Sequence, residues 1–148
     1  MDKLNKIEVV QKFLEAQYAG DFDTAFNNYA LPEFTWIVGS AKNDNLKALI
    51  PWAGYEHKGK EGYQNLTGML FGEFESLTFE PRHFTDAGDK PSAWLRLRVY
   101  VEGHFTFRHR ETGKIADSDF VAVFQFKEGK ISGGQFYENT ADVAAARK

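Results

Sequence analysis

Residues 93–109 read AWLRLRVYVEGHFTFRH. Ala93, Leu95, Leu97, Val99, Val101, Gly103, Phe105 and Phe107 are apolar or small. They alternate with Trp94, Arg96, Arg98, Tyr100, Glu102, His104, Thr106 and Arg108. Side chains on a strand point to opposite faces in turn, so this period of two predicts a strand with one face inside and the other outside. At about 3.3 Å per residue the run would reach about 50 Å, longer than a usual strand. A bend or bulge is therefore expected, with Gly103 the place for it.

Downstream, residues 115–127 (IADSDFVAVFQFK) read as its hairpin partner. Residues 128–130 (EGK) form a tight turn, residues 131–138 a last strand, and residues 141–147 a short helical tail. Upstream, residues 77–85 (LTFEPRHFT) make a strand whose Pro81 points to a sheet edge, and residues 86–89 (DAGD) turn into the long strand. Residues 60–74 read as a helix with Tyr63, Leu66, Met69, Leu70, Phe71 and Phe74 on its apolar side. Residues 39–58 are the least regular stretch, with a turn at 43–45 and a helical fragment at 46–50. Residues 34–38 (FTWIV) form a short strand. Two helices come first: residues 4–19, with Leu4, Ile7, Val10, Phe13, Leu14 and Tyr18 at helical spacing, and a second capped by Asp21 or Asp23. The order helix, helix, strand, helix, four strands predicts one α+β domain over residues 1–148, a curved, mainly antiparallel sheet with helices on one face.

The totals narrow the function. A net charge of -3 and a pI near 5.8 speak against a nucleic-acid partner. There is no cysteine, so no disulfide, thiolate nucleophile or cysteine zinc site is available. The four histidines, His57, His83, His104 and His109, show no zinc spacing, and neither a metal nor a cofactor is expected. No run approaches a membrane span, and the N-terminus has no signal-peptide core, so a cytoplasmic location is expected.

The segments VQKFLEAQYAGDFDTAFNNYA (residues 10–30) and VAVFQFKEGKISGGQFYENT (residues 121–140) resemble the SnoaL-like branch of the NTF2-like superfamily, which includes ketosteroid isomerases and polyketide cyclases. The resemblance covers nearly the whole chain. It implies an α+β cone whose curved sheet and helices enclose a ligand cavity, and it implies a homodimer. The isomerases' catalytic set is not carried over. Their oxyanion-hole tyrosine falls at Phe13, their base at or next to Ile37, and their oxyanion aspartic acid at Ala122, none of which moves a proton. The Arg-Asp-Asp set of the limonene epoxide hydrolase relatives falls at Gly103, Phe105 and Phe136, and is missing too.

That alignment turns Ser118, Phe120, Ala122, Phe124, Ser132, Gly134, Phe136 and Glu138 toward the cavity. Glu138, among aromatics at the end of the last strand, is the candidate acid or base, because desolvation there raises a carboxyl pKa. Its alternative role is to cap the tail or pair with a lysine. His57, in the irregular stretch before the third helix, is a second candidate for proton transfer, placed at the cavity mouth. Ligand-lining candidates are Phe13, Trp36, Trp52, Tyr63, Leu66, Phe71, Phe105, His109, Ser118, Ala122 and Phe136. Asp117 and Asp119 share the outer face with Arg96 and Arg98, and ion pairs among them, within the chain or across a dimer, explain them. The outer row Trp94, Arg96, Arg98, Tyr100 and Tyr137 marks the homodimer surface. Two functions follow as expectations: a protein binding an apolar cyclic or polyketide-like molecule, with acid–base chemistry at Glu138, or a non-catalytic association module whose cavity side chains fill.

Overall fold

A computed structural model describes residues 3–88 and 97–148. Helix α1 (Lys6–Tyr18) and helix α2 (Phe22–Tyr29) lead into strand β1 (Ala30–Val38). A short helix α3 (Asp44–Leu49) and a three-residue strand β2 (Glu56–Lys58) precede helix α4 (Gly59–Glu73). Strands β3 (Phe74–Asp86), β4 (Arg98–His109), β5 (Ile115–Lys127) and β6 (Lys130–Glu138) follow, and helix α5 (Thr140–Ala146) closes the chain. The six strands form one curved, unclosed sheet in the order β2-β1-β6-β5-β4-β3, antiparallel except where β1 runs parallel to β6. This is the α+β cone the sequence predicts. Among the described residues no helix is long and apolar enough to cross a membrane.

Local chemistry sets the ends of the helices. Asn5 and Glu8 make a reciprocal capping box at the start of α1, with bonds of 2.8 and 3.1 Å. Asp21 caps α2 through the Thr24 N–H, and Asn43 caps α3 through the Leu46 N–H. The irregular stretch is therefore more ordered than its composition predicts. Strand β2 goes unseen in the sequence because three residues are too few to show a period of two.

The alternation of the opening stretch holds in β4, where Val99, Val101, Gly103, Phe105, Phe107 and His109 are buried. The irregularity it demanded lies opposite Gly103. Strand β3 carries one extra residue between Pro81 and His83, facing Gly103 and Glu102, and another between Ser76 and Thr78. Gly103 itself makes room. A Cβ there would lie 2.5 Å from the Phe120 ring and 2.4 Å from the Glu80 carbonyl oxygen. The bare backbone lets Phe120 lie across β4 and stack on Phe79, centroids 5.0 Å apart, while its other face meets Phe136 at 4.9 Å. Pro81 sits on an edge strand, as expected.

One parity expectation fails. The register between β5 and β6 shifts at Gln125/Phe126, where Gly133 takes φ +146°. The shift brings Ile131 opposite Phe126 and buries it, and it turns Ser132 onto the outer face beside Thr35 and Gln135. Gly134, Phe136 and Glu138 keep the inward parity.

The core is built on Phe13. Its ring is fully buried and lies 5.4 to 6.1 Å from those of Phe26, Phe34, Tyr63 and Phe124. These contacts lock α1, α2, α4 and the sheet together at one end of the cone.

Candidate functional site

Beyond that aromatic cluster the layers part, leaving a cavity of about 780 Å³. The sheet supplies Trp36 and Val38 from β1, Phe136 and Glu138 from β6, and Phe120, Ala122 and Phe124 from β5. Val101, Phe107, Ser76 and Phe79 continue the wall to the sheet edge. The helices supply Leu14, Gln17 and Tyr18 from α1 and residues from Tyr63 to Phe71 of α4. Tyr18 and Phe71 are exposed as well as lining, so the cavity opens beside them.

Among the described residues Glu138 is the only carboxylate on this wall. It ends β6 directly opposite Phe120, on the same face as Phe136. Its carboxyl has no hydrogen-bond or ion-pair partner among the described residues, and burial alone pushes its pKa up to about 7. Neither alternative role is seen. Tail helix α5 is entered from Asn139, and among the described residues no lysine reaches Glu138. The other polar groups on the wall are neutral or cationic. The Tyr63 hydroxyl, its pKa raised by burial, donates to Gln17 Oε1 at 3.4 Å. Arg110, just after β4, has its backbone N–H on the Glu73 carbonyl and its Nε on the Phe71 carbonyl at 3.0 Å.

Of the residues expected to meet a ligand, Trp36, Trp52, Tyr63, Leu66, Phe71, Ala122, Phe136 and Glu138 share this wall. Five candidates lie elsewhere. Phe13 is sealed inside its ring cluster. Phe105 is fully buried beneath Phe107, 4.3 Å away, with Phe120 and Phe136 each at 6.3 Å. The Ser118 hydroxyl accepts from the Asn139 N–H at 2.9 Å and donates to the Asp119 carbonyl at 2.6 Å, fixing the approach to α5. His109 is buried against Phe74. Its Nδ1 accepts from the Thr112 N–H at 3.2 Å, which leaves Nε2 to donate to Glu73 at 3.0 Å. Glu73 also takes a bond from Arg147 at 2.8 Å, and these two partners hold its pKa below the usual value despite the desolvation that opposes them.

His57 is the fifth. It sits on β2, cross-strand from Trp36, and its Nε2 donates to the Trp52 carbonyl at 2.7 Å. It faces a shallow cleft with Tyr55 and Gly62 rather than the cavity, and burial lowers its pKa. Gly62 packs against the His57 backbone, which lets α4 close over it.

The aspartate pair on the outer face also finds a different partner. Register places Asp119 opposite His104, while Arg98 lies opposite Gln125. His104 Nδ1 meets Asp119 at 2.8 Å and its Nε2 meets Asp117, and the bond to Asp119 is the main cause of its raised pKa. The outer-row residues Trp94 and Arg96 lie outside the described residues. Among the described residues no group of His, Asp and Glu is arranged to hold a metal ion.

The sequence reading missed Gln17, Tyr18 and Arg110. Gln17 had a signal, since it follows Phe13 by four and Leu14 by three and so shares their helical face. Arg110 lies in a turn, where no period exists to read.

Fold and cavity together define an NTF2-like fold whose cavity wall, among the described residues, carries one acid. The chain belongs to the SnoaL-like domain family, whose pattern matches residues 10–133. An NTF2-like protein from Burkholderia xenovorans LB400 superposes with a TM-score of 0.74 at 22% identity, covering 96% of this chain and 95% of that one. TerC, solved with polyporic acid, gives 0.71 at 18% identity over 95% and 96%. A protein described as a SnoaL-like polyketide cyclase, from Jannaschia sp. CCS1, gives 0.67 at 17% over 99% and 96%. No curated protein matches the sequence.

Proposed function

We propose that this protein binds an apolar cyclic or polyketide-like molecule in the cavity and that Glu138 moves a proton on it. The observation that carries the reading is Glu138 itself, an unpartnered carboxyl in a wall of aromatic rings with a pKa pushed up to about 7. A protein selected only for stability gains nothing from such a group, since burying a charge without a partner costs several kcal/mol. An acid poised near neutrality is what general acid–base catalysis asks for. The open volume of about 780 Å³ favours this reading over a filled association module. TerC was co-crystallised with polyporic acid, and a second similar structure is described as a SnoaL-like polyketide cyclase, which supports the ligand class proposed.

The chemistry follows from the site. The ionised Glu138 takes a proton from a carbon next to a carbonyl, or the neutral acid gives one back, in a chamber where water competes poorly. The test is deuterium uptake at the carbon beside the carbonyl of 1-tetralone, followed by proton NMR in D2O. The wild-type protein speeds the exchange, and Glu138→Gln returns it to the buffer rate. Exchange that is equally fast in the Gln variant overturns the acid–base reading.

A further inference from the structure

We infer that the molecule this cavity takes is an organic anion, an apolar ring system carrying a carboxylate or acidic enolate, held by Arg110 at the cavity mouth. The inference rests on the cavity reading above and adds the ligand's charge. Among the described residues Arg110 is the only cation on the cavity wall. Two bonds anchor it, one from its backbone N–H to the Glu73 carbonyl at 2.8 Å and one from Nε to the Phe71 carbonyl at 3.0 Å. Its two terminal nitrogens have no protein partner among the described residues, although Arg108 and Arg147, on either side of the same region, are both ion-paired. A guanidinium fixed through Nε presents its outer N–H groups as a fork. That fork matches a carboxylate or enolate in a way a flexible lysine does not.

The rest of the wall agrees. Gln17, Gln64, Thr67 and Ser76 bring no charge, and Glu138 is the one carboxyl among the described residues of the wall. In its neutral form Glu138 donates a hydrogen bond to the ligand rather than repelling it. The anion therefore sits at the mouth, and the rings reach past Phe79 and Phe120 toward Glu138.

Calorimetric titration of the full chain with 2-naphthoate and its neutral isostere 2-naphthamide, at about pH 6, tests this. Naphthoate is expected to bind about tenfold or more tightly. Arg110→Gln should remove that preference and leave naphthamide unaffected, while Arg110→Lys should restore only part of it. Equal affinities in the wild type, or a preference that survives Arg110→Gln, overturn the anion inference and leave the cavity reading standing. If neither compound binds, the cavity reading fails and this inference fails with it.

Discussion

Burial makes Glu138 a destabilising group as pH rises. In the unfolded chain it ionises near the ordinary carboxyl value of 4.5, and in the fold burial pushes this up to about 7. Between those values the folded state keeps a proton that the unfolded state has lost, so this group makes stability fall as pH rises through the window. Above about 7 the deficit is full, and the shift converts to up to ~3 kcal/mol. Glu138→Gln is therefore expected to raise stability in urea denaturation at about pH 8 and to change little near pH 4. A variant no more stable than wild type at the higher pH would mean that the carboxyl is solvated in the fold. The same ionisation opposes an anionic ligand. The titratable and charged groups among the described residues of the cavity wall are Tyr18, Tyr63, Arg110 and Glu138, with the Glu73–Arg147 pair beside Arg110. Of the site, Glu138 was legible because strand parity is simple and its neighbours are aromatic. Ser118 shows the limit, since parity places a side chain on a face and says nothing of the backbone N–H waiting for its hydroxyl.

At the scale of elements, the sheet depends on a missing side chain. Phe120 reaches Phe79 only because Gly103 has no Cβ, and the cavity wall from Phe136 to the sheet edge is a stack of three rings across that gap. Gly103→Ala pushes the Phe120 ring off the stack and meets the Glu80 backbone, which cannot move aside cheaply. A loss of about 1–3 kcal/mol, read as a lower denaturation midpoint, is the expected cost of overpacking. An unchanged midpoint would show that Phe120 has another rotamer at no cost. The sequence marked Gly103 as special but assigned the irregularity to its own strand. The extra residue belongs to β3, because a bulge requires two residues facing one and Pro81 already weakens that strand's ladder. Helix and strand order came through because long periodic runs dominate it. The parity of Ser132 did not, because it is the extra residue inserted between Ile131 and Gly133, while Gly134, Phe136 and Glu138 keep their face.

At the scale of the molecule, the outer sheet face presents exposed apolar side chains. Tyr137 and Val121 are 43% and 36% exposed there, side by side in register, with Tyr100 opposite Val123 on the next strand. Association of two copies through this face is the prediction, and sedimentation at micromolar concentration is expected to give twice the 16.9 kDa chain mass. A single-chain mass across that range would count against it, and Tyr137→Glu is expected to split the pair.

The two rims of the sheet bear on what such pairing can become. One rim is β2, three residues long, and the other is β3, with a proline and two inserted residues. Neither offers a long, straight row of backbone groups to a further strand. Growth by adding strand to strand is therefore blocked at both ends, while the broad face stays available. Two copies paired face to face would therefore form a closed assembly, and concentrated solutions are expected to stay free of fibres, which light scattering checks.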